Sequence, residues 1–142
     1  MDNNIEHGSP CATSYTIEVP CRVTGEFLDD IIITAVEDGG ISYWADVCGG
    51  VKRDETHESF REGEVTAEIW DLQADTGIPK LYNLDRITII KGIRALLAAD
   101  KIHFSIKDYV GRAVSTSDSC DIDIECADCI IQFALFGEIV YG

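Results

Sequence analysis

The chain has 142 residues, with 26 Asp or Glu against 11 Lys or Arg and a formal net charge of −15. Hydrophobic content of 46% and charged content of 26% exclude a disordered chain and suit one globular domain with its own core. Such a negative field argues against nucleic acid or an anionic membrane as a direct partner and favours basic partners or cations.

Residues 1–13 are polar and turn-rich and read as a flexible start, with residues 14–142 as a single domain. SYTIEVPCRV alternates Tyr15, Ile17 and Val19 against Thr16 and Glu18, the period of a strand, and Pro20 marks an edge or its end. In GEFLDDIIITAVEDGG, residues Leu28, Ile31, Ile32, Ala35 and Val36 share one helical face, and Gly39-Gly40 supply a stop. ISYWADV is a second strand-like run. Residues 49–64 are charged, interrupted by glycine, and read as a loop. VTAEIWDL alternates again, Thr76-Gly77 is a turn, and PKLYNL returns as the partner strand of a hairpin.

TIIKGIRALLAAD places Ile89, Ile93, Leu96 and Leu97 at helical spacing, capped by Thr88 or Asp85. Gly92 inside this helix points to a close packing contact. IHFSIKDYV fits either a strand or a loop over the core, and STSDSCDIDI is a polar bridge. Asp121 is the expected cap of the last helix, with Asp123 and Glu125 in its first turn, where the dipole favours carboxylates. Ala127, Ile130, Ile131, Ala134 and Leu135 form one apolar stripe, and Cys129, Phe133 and Phe136 another beside it, the pattern of a buried helix. Gly137 ends it, and EIVYG is expected to run back as a short strand. The fold class is therefore α+β: an antiparallel sheet of about four or five strands with about two or three helices, the C-terminal one buried.

Chemistry-bearing constellations are sparse. Asp118, Asp121, Asp123 and Glu125 have the oxygen ligands of a divalent-cation site but lack the glycine and later glutamate of a calcium loop, and helix capping accounts for them better. Cys120, Cys126 and Cys129 lack a second knuckle, and His7, His57 and His103 are scattered, so no zinc site and no cofactor is expected. No phosphate loop or nucleophile–base signature is present, and the reading is a non-enzyme. No stretch reaches the roughly 18 to 20 apolar residues of a membrane span, and the start has no basic-then-apolar secretion signal. A cytoplasmic protein with six reduced cysteines is expected.

Two stretches, ITAVEDGGISYWADV and DIDIECADCIIQFALFGEIVYG, resemble a family of small, mostly uncharacterised proteins of bacteriophages and mobile elements. The shared features are a helix ending in Gly-Gly, Tyr-Trp shortly after, and a terminus of the ALFGEIVYG type. The resemblance implies a host-cell setting and a role in binding and blocking a host component such as a defence system, in the manner of an anti-CRISPR protein. Acidic proteins of this kind place carboxylates where a nucleic-acid enzyme expects phosphates.

The leading expectation is thus an acidic nucleic-acid mimic that binds a host protein through Asp54, Glu55, Glu58, Glu62 and Glu64. The alternative is a binder that sequesters a nucleotide signal, with Tyr43 and Trp44 as aromatic walls and Lys52 or Arg53 reaching a phosphate. A homodimer is left open.

Overall fold

The computed structural model describes residues 13–55 and 63–142. Helix α1 spans Gly25–Val36, and the Thr24 side chain caps it by accepting from Phe27 N. Strands β1 (Ala45–Val47), β2 (Lys52–Arg53), β3 (Val65–Asp71) and β4 (Lys80–Leu84) follow, then helices α2 (Arg86–Ala98), α3 (Phe104–Thr116) and α4 (Ile124–Phe136), with a 3₁₀ turn at Ser119–Asp121. The architecture is α+β, with a four-stranded antiparallel sheet and four α-helices among the described residues. No helix among them is long and apolar enough to cross a membrane.

Strand β3 is the centre of the sheet. It pairs with β4 from Ala67↔Leu84 to Asp71↔Lys80, and with β1 from Ala45↔Asp71 to Val47↔Ile69. Beyond Cys48, which donates to Glu68 O, the edge bulges at Gly49 and Gly50 and resumes as β2 opposite Val65 and Thr66. The two glycines take φ of 77° and 75°, a region where a side chain is strained. The alternation of β3 buries Val65, Ala67 and Ile69 against the helices and turns Trp70 outward.

The helical layer closes on that face. Apolar residues of α1 (Phe27, Leu28, Ile31, Ile32, Ala35), α2 (Ile89, Ile93, Leu96) and α4 (Cys126, Ala127, Ile130, Ile131, Phe133) join one core. Gly92 is where α2 meets α4: a Cβ there would stand 2.9 Å from Ala134 Cβ and closer still to the Ile130 carbonyl. The close contact expected at this glycine is present.

Several expectations change. Residues 14–23 form no strand, and Tyr15, Ile17 and Val19 are 87%, 84% and 70% exposed. Alternation marks a chain able to pair, but pairing needs a free edge alongside. This arm instead runs beside Ile90, Leu97 and Val114 of α2 and α3, away from the sheet. Most of ISYWADV is turn, because Ile41 N and Ala45 N are taken by Ala35 O and Ile41 O, leaving a strand of three residues.

IHFSIKDYV is not a strand: His103 caps α3 and residues 104–110 form its first half, which raises the helix count above the two or three expected. Its β-branched and aromatic residues suggest a strand, yet Ile106, Val110 and Ala113 are the buried ones, at helical spacing. The cap of α4 is Asp123, which accepts from Cys126 N, whereas Asp121 belongs to the 3₁₀ turn. EIVYG forms no strand. The expected flexible start, residues 1–13, lies outside the described residues except for Thr13.

Candidate functional site

Tyr43-Trp44 and the C-terminal stretch of the chain meet in space. The Asp128 carboxylate of α4 accepts from Tyr43 Oη and from Trp44 Nε1, the latter at 2.9 Å. Trp44 is 1% exposed and stacks on Tyr141 at 5.2 Å between ring centroids, with Phe136 edge-on at 5.6 Å. Tyr141 Oη donates to Asp71 at 2.9 Å, joining the tail to the sheet. Burial, then the hydrogen bond to Asp128, raises the Tyr43 phenol above its ordinary value, so it remains a donor into alkaline pH.

These contacts bear on the expected nucleotide pocket. Trp44 is closed off, whereas Tyr43 is 48% exposed with its Oη bonded to Asp128 and Gln132. Lys52 and Arg53 pair near the start of β3, while Tyr43 and Trp44 precede β1 at its other end. At the rise of an extended chain this separation is about 16 Å. The structure does not bring the four residues together.

The acids of the 49–64 segment also divide. Glu58 and Glu62 lie outside the described residues. Asp54 and Glu55 are exposed. Glu64 is turned inward, where its Oε2 accepts from Arg86 N at 3.1 Å, at the start of α2. Beside it Arg86 grips the buried Asp29 through Nε and an Nη at 2.9 and 2.8 Å, and Arg53 approaches the same carboxylate at 3.8 Å. Asp29 also accepts from Val65 N at 3.2 Å, tying α1 to β3. Arg53 and Glu64 therefore serve the fold.

The larger acidic surface is elsewhere. Residues 117–124 run along α1 from end to end. Thr24 N donates to Ser117 Oγ at 3.1 Å, Ser119 Oγ donates to Asp30 at 2.8 Å, and a Cβ at Gly40 would stand 2.9 Å from Ile124 O. Glu26 and Asp30 share one stripe of α1, Glu37 at its C-cap continues that stripe, and Asp38 lies just beyond. The adjoining segment adds Asp118, Asp121, Asp123 and Glu125, with Ile124 exposed between them.

Residues 23–51 and 113–142 together hold twelve acids and no lysine or arginine, so no cation from either segment neutralises this face. Asp118 accepts from Cys120 N at 3.0 Å, and hydrogen bonds from Cys120 hold its carboxyl below the ordinary range. Asp118 caps the 3₁₀ turn and Asp123 caps α4, the capping role expected of acids in this cluster. Among the described residues no three His, Cys, Asp or Glu are grouped to hold a metal ion.

Glu26, Asp30, Glu37 and Asp38 were not singled out from the sequence. The signal that finds them is the absence of Lys and Arg from two separate stretches, read together. Compared with protein-family models, curated proteins and solved structures, the chain matches none.

Proposed function

We propose that this chain is a non-enzymatic accessory protein of the bacteriophage or mobile-element type that binds and inhibits a host defence component in the host cytoplasm. It lays the acidic face of α1 and residues 117–125 against a basic groove that the partner uses for nucleic acid. One observation carries the reading: two segments without a basic residue pack side by side, so the charges of Glu26, Asp30, Glu37, Asp38, Asp118, Asp121, Asp123 and Glu125, none of them buried, add on one surface. Like charges gathered in this way repel one another and do not help the fold, whereas they steer a cationic partner and complement it. Exposed Ile124 among them offers an apolar anchor.

The test is affinity capture from a bacterial lysate, followed by competition. The expected partner is a protein with a basic nucleic-acid groove, released by duplex DNA and by raised salt. Glu37→Lys, Asp121→Lys and Glu125→Lys, none of them a side-chain cap, together abolish capture. Asp54→Lys with Glu55→Lys tests the segment first expected to bind. Capture that is insensitive to salt, DNA and the triple reversal overturns the reading.

A further inference from the structure

A groove of about 1000 Å³ lies between the N-terminal arm and the two helices it follows. Val19 and Val23 of the arm line one side, and Ile90, Ile93 and Leu97 of α2 with Val114 of α3 line the other. Arg22 and Arg94 are on the lining too, both exposed, and neither forms an ion pair among the described residues. Glu18 is the single acid there.

Two unpaired guanidinium groups are notable in a chain with 26 acids. The surrounding stretch departs from the rest of the molecule as well: in residues 86–112, beyond Arg86 held by Asp29 and Arg112 paired with Asp108, Lys91, Arg94, Lys101 and Lys107 stand against Asp100. An apolar groove edged by cations, on a locally basic surface, complements an occupant that is apolar along its length and anionic at one end.

We infer that this groove binds a long-chain carboxylate, with the head group on Arg22 and Arg94 and the chain on Ile90, Ile93, Leu97 and Val114. Arginine matches a carboxylate through two parallel hydrogen bonds, and the chain gains by leaving water. Size selects a small ligand over an acidic helical peptide. The volume is that of a single small-molecule site, roughly 300 to 1000 Å³, whereas a helix is about 10 Å across with its side chains. No carboxylate of the α1 and 117–125 face lines the groove, so this site stands or falls independently of the proposed inhibitor role.

The experiment is calorimetric titration of the full chain with dodecanoate below its micellar concentration, with dodecanol and acetate as controls. Saturable one-to-one binding is expected, weaker by at least about tenfold for dodecanol and for Arg22→Gln with Arg94→Gln. Val19→Glu, on the exposed arm, adds a carboxylate to the groove and is expected to weaken binding as well. All these side chains are exposed, so an unchanged melting temperature separates loss of binding from loss of fold. Absence of saturable binding to the parent chain, equal affinity for dodecanol, or undiminished binding by the double arginine variant overturns the inference.

Discussion

The Gln132 carboxamide holds the backbone of Tyr141 from both sides: Oε1 accepts from Tyr141 N at 2.8 Å, and Nε2 donates to Tyr141 O at 3.0 Å. Oε1 also accepts from Val140 N at 2.8 Å. A fully buried side chain thus takes up backbone groups of Val140 and Tyr141 that a strand would offer a neighbour, and EIVYG forms no strand. Gln132→Leu leaves these part-buried backbone groups without that partner; a fully buried group so stranded costs about 1–3 kcal/mol, and access to water lowers the cost of each here. We expect a loss of about 2–4 kcal/mol in urea unfolding on that basis. Gln132→Glu places a second carboxyl beside Asp128 and is expected to lose stability further as pH rises through the carboxylate range.

Tyr43 and Trp44 act on one acceptor, Asp128, and their contributions are expected to be coupled. Tyr43→Phe and Trp44→Phe should each destabilise by about 1–3 kcal/mol. The double variant should depart from their sum by more than about 0.5 kcal/mol, as groups in one network do. Chemical denaturation of the four proteins checks this, and strict additivity would show two independent contacts. Adenine nucleotides should leave Trp44 emission unchanged, because the ring has no exposed face to offer.

Asp29 is 1% exposed and receives both prongs of Arg86. Asp29→Ala leaves the guanidinium without its buried partner and Val65 N without an acceptor. Breaking a buried pair costs about 3–5 kcal/mol, and the partial exposure of both arginines puts this case toward the lower end. Arg86→Lys keeps the charge but loses the fork, so it should recover only part of the stability. Thermal unfolding of the three proteins tests the order.

Gly92→Ala sets two effects against each other. Helix propensity favours alanine by about 1 kcal/mol. The added Cβ, however, would press on the Ile130 carbonyl and stand 2.9 Å from Ala134 Cβ, in a place where neither helix can yield alone. Overpacking of this kind costs about 1–3 kcal/mol, so net destabilisation is expected. An increase in melting temperature would show that α2 and α4 separate easily.

Alkaline pH should unfold the protein through groups held protonated inside it. Burial pushes the Cys126 and Cys129 thiols up to about 12, and burial with the Asp71 hydrogen bond takes the Tyr141 phenol to about 12. Unfolded, these groups release protons near 8.5 and 10, before the folded forms do. The folded state then holds more protons, so stability is fully present below about pH 8 and falls as pH approaches 12. Cys126→Ala with Cys129→Ala should flatten that fall, measured as melting temperature against pH. Both thiols should also react slowly with alkylating reagents at neutral pH.

Where structure follows from short-range pattern, the sequence was legible. The stripe Leu28, Ile31, Ile32, Ala35 became the inner face of α1, Val65–Asp71 and Lys80–Leu84 became the hairpin, and Gly92 marked a tight helix contact. In each case burial of one face imposes a period that the residues display. Helix α3 was missed because composition and spacing disagreed, and burial of Ile106, Val110 and Ala113 decided for spacing.

By itself, then, the sequence determined the local elements and the sign of the field, since periodicity and charge are properties of neighbouring residues. Tertiary structure alone decided the partners. It left the alternating Tyr15, Ile17, Val19 arm unpaired because no sheet edge lies beside it. It made Tyr43 and Trp44 donors to Asp128, 85 and 84 residues away along the chain. It set Glu26, Asp30 and Glu37 beside Asp118, Asp121 and Glu125, since Thr24 meets Ser117 and Asp30 meets Ser119. Such meetings depend on how helices and sheet bury their apolar faces against one another, and no local pattern records which distant residues that burial brings together.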